Sequence, residues 1–120
     1  MKTLLLIVVM FGLSGFARDS TPFADGNELH DECATAIVSS GYYEGGHCFG
    51  MIEAYLQLSS QLSPRYFPAH CIPEAVTFGQ MAKVVVRYLD QHPEQLHLMA
   101  TLVIAKATHD GFPCRATVKK

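Results

Sequence analysis

The stretch CIPEAVTFGQMAKVVVRYLDQHPEQLHLMATLVIAKATHDGFPC, residues 71–114, decides the fold of this chain. Two amphipathic helical patterns lie on either side of the tripeptide HPE at positions 92–94, and a cysteine stands at each end. Thr77 and Gln80 have the spacing of a capping box at the start of the first helix. Pro93 suits the first turn of the second helix, because its missing N–H has no intrahelical partner to lose. The stretch therefore predicts two helices joined by a fixed hinge.

The two helices differ in how their apolar residues are distributed. The first has one apolar face, formed by Phe78, Met81, Val84, Val85, Tyr88 and Leu89, and presents Lys83, Arg87 and Asp90 to water. The second has Leu96, Met99, Ala100, Val103 and Ala107 on one side and Leu98, Leu102 and Ala105 nearly opposite. A helix that is apolar all round lies at the centre of a domain or is covered by a second chain. Of the two arrangements we expect a homodimer, with Leu98, Leu102 and Ala105 at its interface.

Two further helices precede this stretch. The first is predicted over residues 25–40, with Asp25 as N-cap and Glu28 as its capping-box partner. The second begins near His47 and has a broad apolar stripe of Cys48, Met51, Ile52, Tyr55, Leu58 and Leu62. Irregular connections are predicted at residues 41–46 and 63–68. The fold class is therefore all-α, a small bundle of four main helices with room for a short extra one in residues 61–70.

The N-terminus has the pattern of a secretory signal peptide. Lys2 is followed by an apolar segment at residues 4–13 and by a small-x-small cleavage site that ends at Ala17. We expect residues 1–17 to be removed and residues 18–120 to form a single exported domain. The apolar segment is shorter than the ~20 residues that a membrane-spanning helix needs. An uncleaved anchor is the alternative, but we expect no membrane insertion of the mature chain.

Four cysteines in an exported chain predict two disulfides and no free thiol. They are Cys33, Cys48, Cys71 and Cys114. Three pairings are compatible with the sequence, and we favour Cys33 with Cys114 and Cys48 with Cys71.

Charge and motif content exclude several classes of function. The formal net charge is −2, with no basic cluster of the kind that binds nucleic acid. The histidines and cysteines lack metal-ligand spacing, so neither a metal site nor a cofactor is expected. His47-Cys48 and His70-Cys71 are adjacent pairs, but backbone neighbours rarely align for proton transfer, and a disulfide removes the nucleophile. No catalytic residues are predicted, and the chain is not expected to be an enzyme.

Five short motifs, in this order and spacing, resemble those of the Tai/Rap-type immunity proteins. They are CFGMI at 48–52, CIP at 71–73 with VT at 76–77 and Gln80, VVRYL at 85–89, HPE at 92–94 with LH at 96–97, and FPC at 112–114. This resemblance covers roughly residues 33–114. It implies an all-helical homodimer in the Gram-negative periplasm that protects its producer against a peptidoglycan-cleaving effector of a type VI secretion system. The implied partner is a cognate Cys-His amidase of the NlpC/P60-like class, whose active-site cleft the immunity protein blocks.

An inhibitor of a cleft enzyme has to present protruding, preorganised groups, which favours loops fixed by helix ends over flat helix faces. The hinge residues Arg87, Asp90, Gln91, His92 and Glu94 are therefore the first candidates for effector binding. The second candidates are Tyr42, Tyr43 and Glu44, in a loop whose tyrosines could equally cover the core.

Two other classes of function share parts of this pattern. A periplasmic adaptor or envelope-stress binding protein would have the same export signal, disulfides and bundle, but would not alter a hydrolase. A zinc or cysteine enzyme would need bound metal or a titratable thiol. Inhibition assays distinguish the adaptor, and metal analysis with thiol counting distinguishes the enzyme.

Overall fold

A computed structural model describes residues 23–39, 43–62 and 70–115 of the chain. Four α-helices make up most of this part: α1 (Gly26–Val38), α2 (Tyr43–Gln61), α3 (Phe78–Gln91) and α4 (Ala100–Gly111). A 3-10 turn (Pro93–Gln95) follows α3. The predicted all-α class and the four main helices are confirmed. The predicted signal peptide, the connection at 63–68 and most of the segment proposed for an extra helix lie outside the described residues.

Both predicted N-cap residues, Asp25 and Thr77, begin their helices, but α1 lacks the reciprocal Glu28 hydrogen bond of the predicted capping box. The Asp25 carboxylate accepts hydrogen bonds from the backbone N–H groups of Asn27 and Glu28, which begins α1. At α3 the capping box is complete: the Gln80 N–H donates to Thr77 Oγ1, and the Thr77 N–H donates to Gln80 Oε1. These local interactions satisfy N–H groups that have no partner within the helix.

Helix α2 begins four residues before the predicted start at His47. Gly45 and Gly46 fall in the predicted irregular connection at 41–46, and glycine has a low helix propensity. Gly45 is instead buried against α1, where an added Cβ would lie 3.4 Å from the Cα of Ala36. Close packing between the two helices outweighs the low helix propensity of glycine.

The apolar stripe of α2 is buried over only part of its length. Cys48, Ile52 and Tyr55 belong to the core, whereas Leu58 and Leu62 are 55% and 45% exposed. At 1.5 Å per residue, the 19 residues of α2 reach further than the 13 residues of α1. The last turns of α2 therefore extend beyond the helix that covers its first half.

Helix α4 begins at Ala100, not at the predicted Pro93. His92 breaks α3 as expected before a proline, with φ −129° and ψ 60°, but the following residues turn and then extend. Their backbone groups pair with the start of α1: the Gly26 N–H donates to the Leu98 carbonyl at 2.9 Å, and the Ala100 N–H donates to the Ala24 carbonyl at 2.9 Å. These long-range hydrogen bonds replace the helical ones that the apolar spacing predicted.

The preferred disulfide pairing is wrong. Cys33 is bonded to Cys48, with both residues fully buried between α1 and α2, and Cys71 is bonded to Cys114 at the exposed ends of the α3–α4 unit. Because α1 and α2 are adjacent in sequence and pack on each other, Cys33 and Cys48 are brought to a Cα distance of 5.1 Å. The prediction of two disulfides without a free thiol is confirmed.

One core lies between the four helices. Its largest fully buried side chains come from every helix and include Leu29, Ile52, Tyr55, Met81, Leu89 and Ile104. Of the predicted α3 face, Met81, Val85, Tyr88 and Leu89 are buried, while Phe78, in the first turn, is 43% exposed. Lys83, Arg87 and Asp90 are exposed, as predicted.

Candidate functional site

The hinge after α3 is folded back onto that helix by an aromatic contact and a hydrogen bond. The ring of His92 lies 4.5 Å from the ring of Tyr88, measured between centroids. The Tyr88 hydroxyl donates to Gln95 Oε1 at 3.2 Å, from one turn of α3 to the 3-10 turn. The direction of the chain after α3 is thus fixed by side chains as well as by Pro93.

Two ionisable groups at the hinge have altered acidity. Glu94 is exposed, and its own backbone N–H and the His92 ring both form hydrogen bonds with the carboxylate, which lowers the pKa of Glu94. Burial raises the pKa of Tyr88, and the nearby charges of Asp110 and Glu94 act in the same direction. The hinge therefore presents a charged carboxylate beside a neutral phenol at neutral pH.

The start of α1 holds the chain between the hinge and α4. The backbone N–H and the Nδ2 group of Asn27 both donate to the carbonyl of Leu96, each at 3.1 Å. Gly26 lies so close to this segment that an added Cβ would be 2.8 Å from the Leu96 carbonyl oxygen. A glycine is required here because any side chain would collide with backbone.

A side-chain contact also joins α1 to α3. His30 Nε2 lies 2.9 Å from Asp90 Oδ1, and His30 Nδ1 lies 3.5 Å from Asp31 Oδ1. The hydrogen bond with Asp90 raises the pKa of His30 above its ordinary value, and Asp31 adds to this effect against the opposing effect of burial. The C-terminal end of α3 is therefore tied to α1 by the His30–Asp90 pair, and the segment after the hinge is tied to α1 by the hydrogen bonds to Leu96 and Leu98.

These contacts enclose a surface cavity of about 380 Å³ between α1, α3 and the hinge. We call it the hinge cavity; it is lined by Asn27, His30, Asp31, Leu89, Asp90, Pro93 and Leu96. Of the five predicted hinge residues, Asp90 lies in this cavity. Arg87, Gln91 and Glu94 are exposed, and His92 is half-buried against Tyr88.

The second predicted patch lies on the other side of α1. Tyr43 is 80% exposed and stacks on His47, with ring centroids 6.1 Å apart, and Glu44 is exposed beside it. Both border a cavity of about 310 Å³ whose other lining residues are Glu28, Asp31, Glu32 and Thr35. Tyr42 lies outside the described residues. Because Asp31 lines both cavities, the exposed face of α1 connects the two patches that the sequence analysis treated separately.

A buried carboxylate lies at the inner end of the second cavity. Glu32 is 8% exposed, and both of its oxygens lie within 2.8 Å of His47 Nδ1. Glu28 approaches the same point, so one ligand atom from each of the three residues falls within 4.8 Å of the others. Two carboxylates and an imidazole can hold a divalent cation, a donor set that the search for metal-ligand spacing did not find. In this structure the Glu32 carboxylate is instead paired with His47, which gives the buried group a hydrogen-bond partner.

The residues predicted for a dimer interface are separated by the fold. Ala105 is 3% exposed within one chain, Leu98 is half-buried before the helix, and Leu102 is 41% exposed. α4 is thus covered largely by its own chain. An apolar groove of about 230 Å³ lies at its start, with Phe23 and Met99 exposed at 68% and 56%.

The contribution of α1 to the site was not predicted from the sequence. Asn27, His30 and Asp31 were not among the predicted site residues, although each lines the hinge cavity. No local signal could have identified them, because His30 and Asp90 are 60 positions apart in sequence. The run ELHDE at residues 28–32, with three acids and a histidine, marks this part of α1 as charged but does not show which residues it faces.

Residues 25–114 match the family model of the Rap1a immunity proteins, a span that contains all four helices and both disulfides. No curated protein and no solved structure matches the chain at a significant level. Among residues 23–39, 43–62 and 70–115, no helix is both long and apolar enough to cross a membrane.

Proposed function

Because this chain belongs to the Rap1a immunity protein family, we propose that it is a periplasmic immunity protein that inhibits a cognate peptidoglycan amidase delivered by type VI secretion. The family match over residues 25–114 is the observation that carries this proposal. The proposed partner is a Cys-His amidase of the NlpC/P60-like class, and inhibition protects the producing cell from its own and its siblings' effector.

The hinge is the proposed inhibitory surface. Exposed Arg87, Gln91 and Glu94 surround it, and the aromatic contact, the hydrogen bonds to α1 and the His30–Asp90 pair hold it in place. A rigid projection loses little conformational entropy when it enters a cleft. These properties suit a group that occludes an enzyme active site.

A binding role without catalysis agrees with the state of the cysteines. All four cysteines of the chain form disulfides, so none supplies a thiolate nucleophile. Disulfides persist in oxidising compartments such as the bacterial periplasm, where peptidoglycan lies. Export through cleavage of residues 1–17 is part of the proposal.

A homodimer is a further part of the proposal, now with a different interface. Phe23, Met99 and Leu102 are exposed around the start of α4, and Met51 lines the groove between them. A second copy would cover this apolar surface, in place of the predicted set that included Ala105. Light scattering of the mature chain should give twice the monomer mass, and the Leu102→Glu variant should give the mass of a monomer.

The decisive experiment is a titration of the amidase encoded beside this gene with the mature oxidised protein. We expect tight binding and loss of peptidoglycan hydrolysis. Asp90→Lys with Glu94→Lys should weaken inhibition, whereas Glu53→Lys with Glu74→Lys, an equal charge change at exposed acids away from the hinge, should not. Tight binding without inhibition would favour an adaptor, and equal effects of the two double variants would exclude the hinge.

A further inference from the structure

We propose that the hinge cavity is a receptor for one cationic side chain, an arginine or lysine that the amidase partner inserts beside Asp31 and Asp90. This inference rests on the proposed function, because it assigns a chemical group of that partner to a defined place on this chain. The interaction would then run in both directions: the hinge enters the partner, and the partner enters the cavity beside the hinge.

The floor of the cavity is apolar and its rim is acidic. Leu89, which is 1% exposed, lies with Pro93 and Leu96 along one side. Asp31 on α1 and Asp90 on α3 lie at the rim, with side chains that are 87% and 61% exposed. Lysine and arginine cover apolar surface with their methylene stems and keep the charged head in polar surroundings. The cavity offers an apolar floor for the methylene stem and an acidic rim for the charged head.

The position of the carboxylates is set before any partner binds. His30 lies between the two acids, 2.9 Å from Asp90 Oδ1 and 3.5 Å from Asp31 Oδ1. Asn27, about one turn before His30 and Asp31 on α1, is fixed by two hydrogen bonds to the Leu96 carbonyl. Such preorganisation reduces the entropy lost on binding. An incoming guanidinium would meet two acceptors already in place.

The surroundings favour a cation over an anion or an apolar group. Glu28 on α1 and Glu44 on α2 line the neighbouring cavity, which shares Asp31 with this one, so exposed carboxylates continue from the rim across both helices. An anionic group would be repelled by these exposed carboxylates, and an apolar group would gain no interaction with them. The volume of about 380 Å³ is near the lower end of the ~300–1,000 Å³ typical of ligand pockets, which suits one long side chain.

The first arm of the test uses the amidase and a matched pair of variants. Asp31→Asn with Asp90→Asn should weaken binding at least about tenfold, the value of one hydrogen bond to a charged group, and should make the affinity less dependent on salt. Glu53→Gln with Glu74→Gln removes the same charge from exposed acids outside the cavity and should leave affinity within about twofold. Circular dichroism of all variants establishes that they are folded.

The second arm needs no amidase. N-acetyl-arginine amide and its neutral isostere N-acetyl-citrulline amide are titrated separately into the isotopically labelled wild-type protein. Arginine-specific NMR shift changes should be concentrated at the backbone amides of Asn27, His30, Leu89 and Leu96, and should be lost in the Asp31→Asn, Asp90→Asn variant. Shift changes that are absent, dispersed over the surface, or the same for both probes would overturn the proposal.

The two arms separate the failure of this inference from failure of the proposed function. If the wild type inhibits the amidase but the cavity variant binds as tightly as the control variant, the cavity proposal is wrong and the immunity function stands. If the wild type binds no amidase, the proposed function fails, and the arginine titration alone decides whether the cavity is a cation receptor.

Discussion

Removing the Cys71–Cys114 disulfide is expected to destabilise this protein more through chain entropy than removing Cys33–Cys48. The cysteines are 43 positions apart in the first pair and 15 in the second. Loop-closure entropy then gives about 4 kcal/mol for the long loop and about 3 kcal/mol for the short one. Because small domains have a total stability of only ~5–15 kcal/mol, loss of the longer link should leave a marginally folded chain.

The location of each pair determines how the experiment is designed. Cys71 and Cys114 are exposed, so Cys71→Ser with Cys114→Ser tests the covalent link with little change in packing. Cys33 and Cys48 are fully buried, so Cys33→Ala with Cys48→Ala loses core contacts in addition to the link. Urea unfolding of both variants and the wild type gives the free energies and also the m-values, which report how compact the unfolded states are.

Thiol counting provides an independent check of the pairing. In the Cys71→Ser, Cys114→Ser variant, Cys33 and Cys48 should remain bonded to each other and should not react with iodoacetamide. If the pairs were Cys33–Cys114 and Cys48–Cys71 instead, the same variant would release two reactive thiols. Two reactive thiols, or a loss of stability below about 1 kcal/mol, would refute the reasoning.

Three further predictions concern stability and are measured by urea unfolding. Gly46→Ala should stabilise α2 by about 0.5–1 kcal/mol, because an added Cβ meets nothing within 4 Å. Gly26→Ala should instead lower the free energy of unfolding, because its Cβ would lie 2.8 Å from a backbone carbonyl oxygen. Equal effects of the two substitutions would contradict the packing argument. Thr77→Ala should cost about 1 kcal/mol by removing the capping box, and an unchanged midpoint would show that the cap is dispensable. The raised pKa of His30 means that its pairing with Asp90 adds stability below the ordinary histidine pKa of ~6.5, and that this stability is lost as pH rises through the folded-state pKa. Asp90→Asn should therefore be more destabilising below about pH 6 than near pH 8, and a pH-independent difference would be inconsistent with that pairing.

Part of the fold follows from local rules that act within a few residues. Asp25 and Thr77 cap α1 and α3 as their sequence positions predicted, and the apolar spacing correctly places Met81, Val85 and Leu89 in the core. Such predictions succeed because a cap or an amphipathic face depends on residues that are neighbours in sequence.

The errors occurred where distant residues compete with local preference. The apolar pattern after Pro93 predicted a helix, but hydrogen bonds from Gly26 and Asn27 hold this segment in a turn and an extended stretch. The loop assigned to Gly45 became helix because that glycine packs against α1. In both places a tertiary contact supplies hydrogen bonds or burial that outweigh the local propensity.

The candidate site also has one part that depends on sequence neighbours and one part that depends on distant residues. The hinge itself could be located from sequence, since proline disfavours helix at the preceding residue, and His92 does end α3. The cavity beside it could not, because its other wall is α1, and His30 and Asp90 meet across 60 positions of sequence. The spacing of apolar residues along one helix contains no information about which side chains of another helix it will face.

The sequence by itself determined that the chain is helical and where α3 begins and ends. It also determined that the number of cysteines is even and which family motifs the chain contains. Only the tertiary structure decided how the cysteines pair, where α4 begins and which residues of α1 complete the site. The physical reason is range: caps, hinges and apolar periodicity act within a turn or two of helix, whereas disulfides, helix docking and cavities depend on three-dimensional distances between segments far apart in the chain.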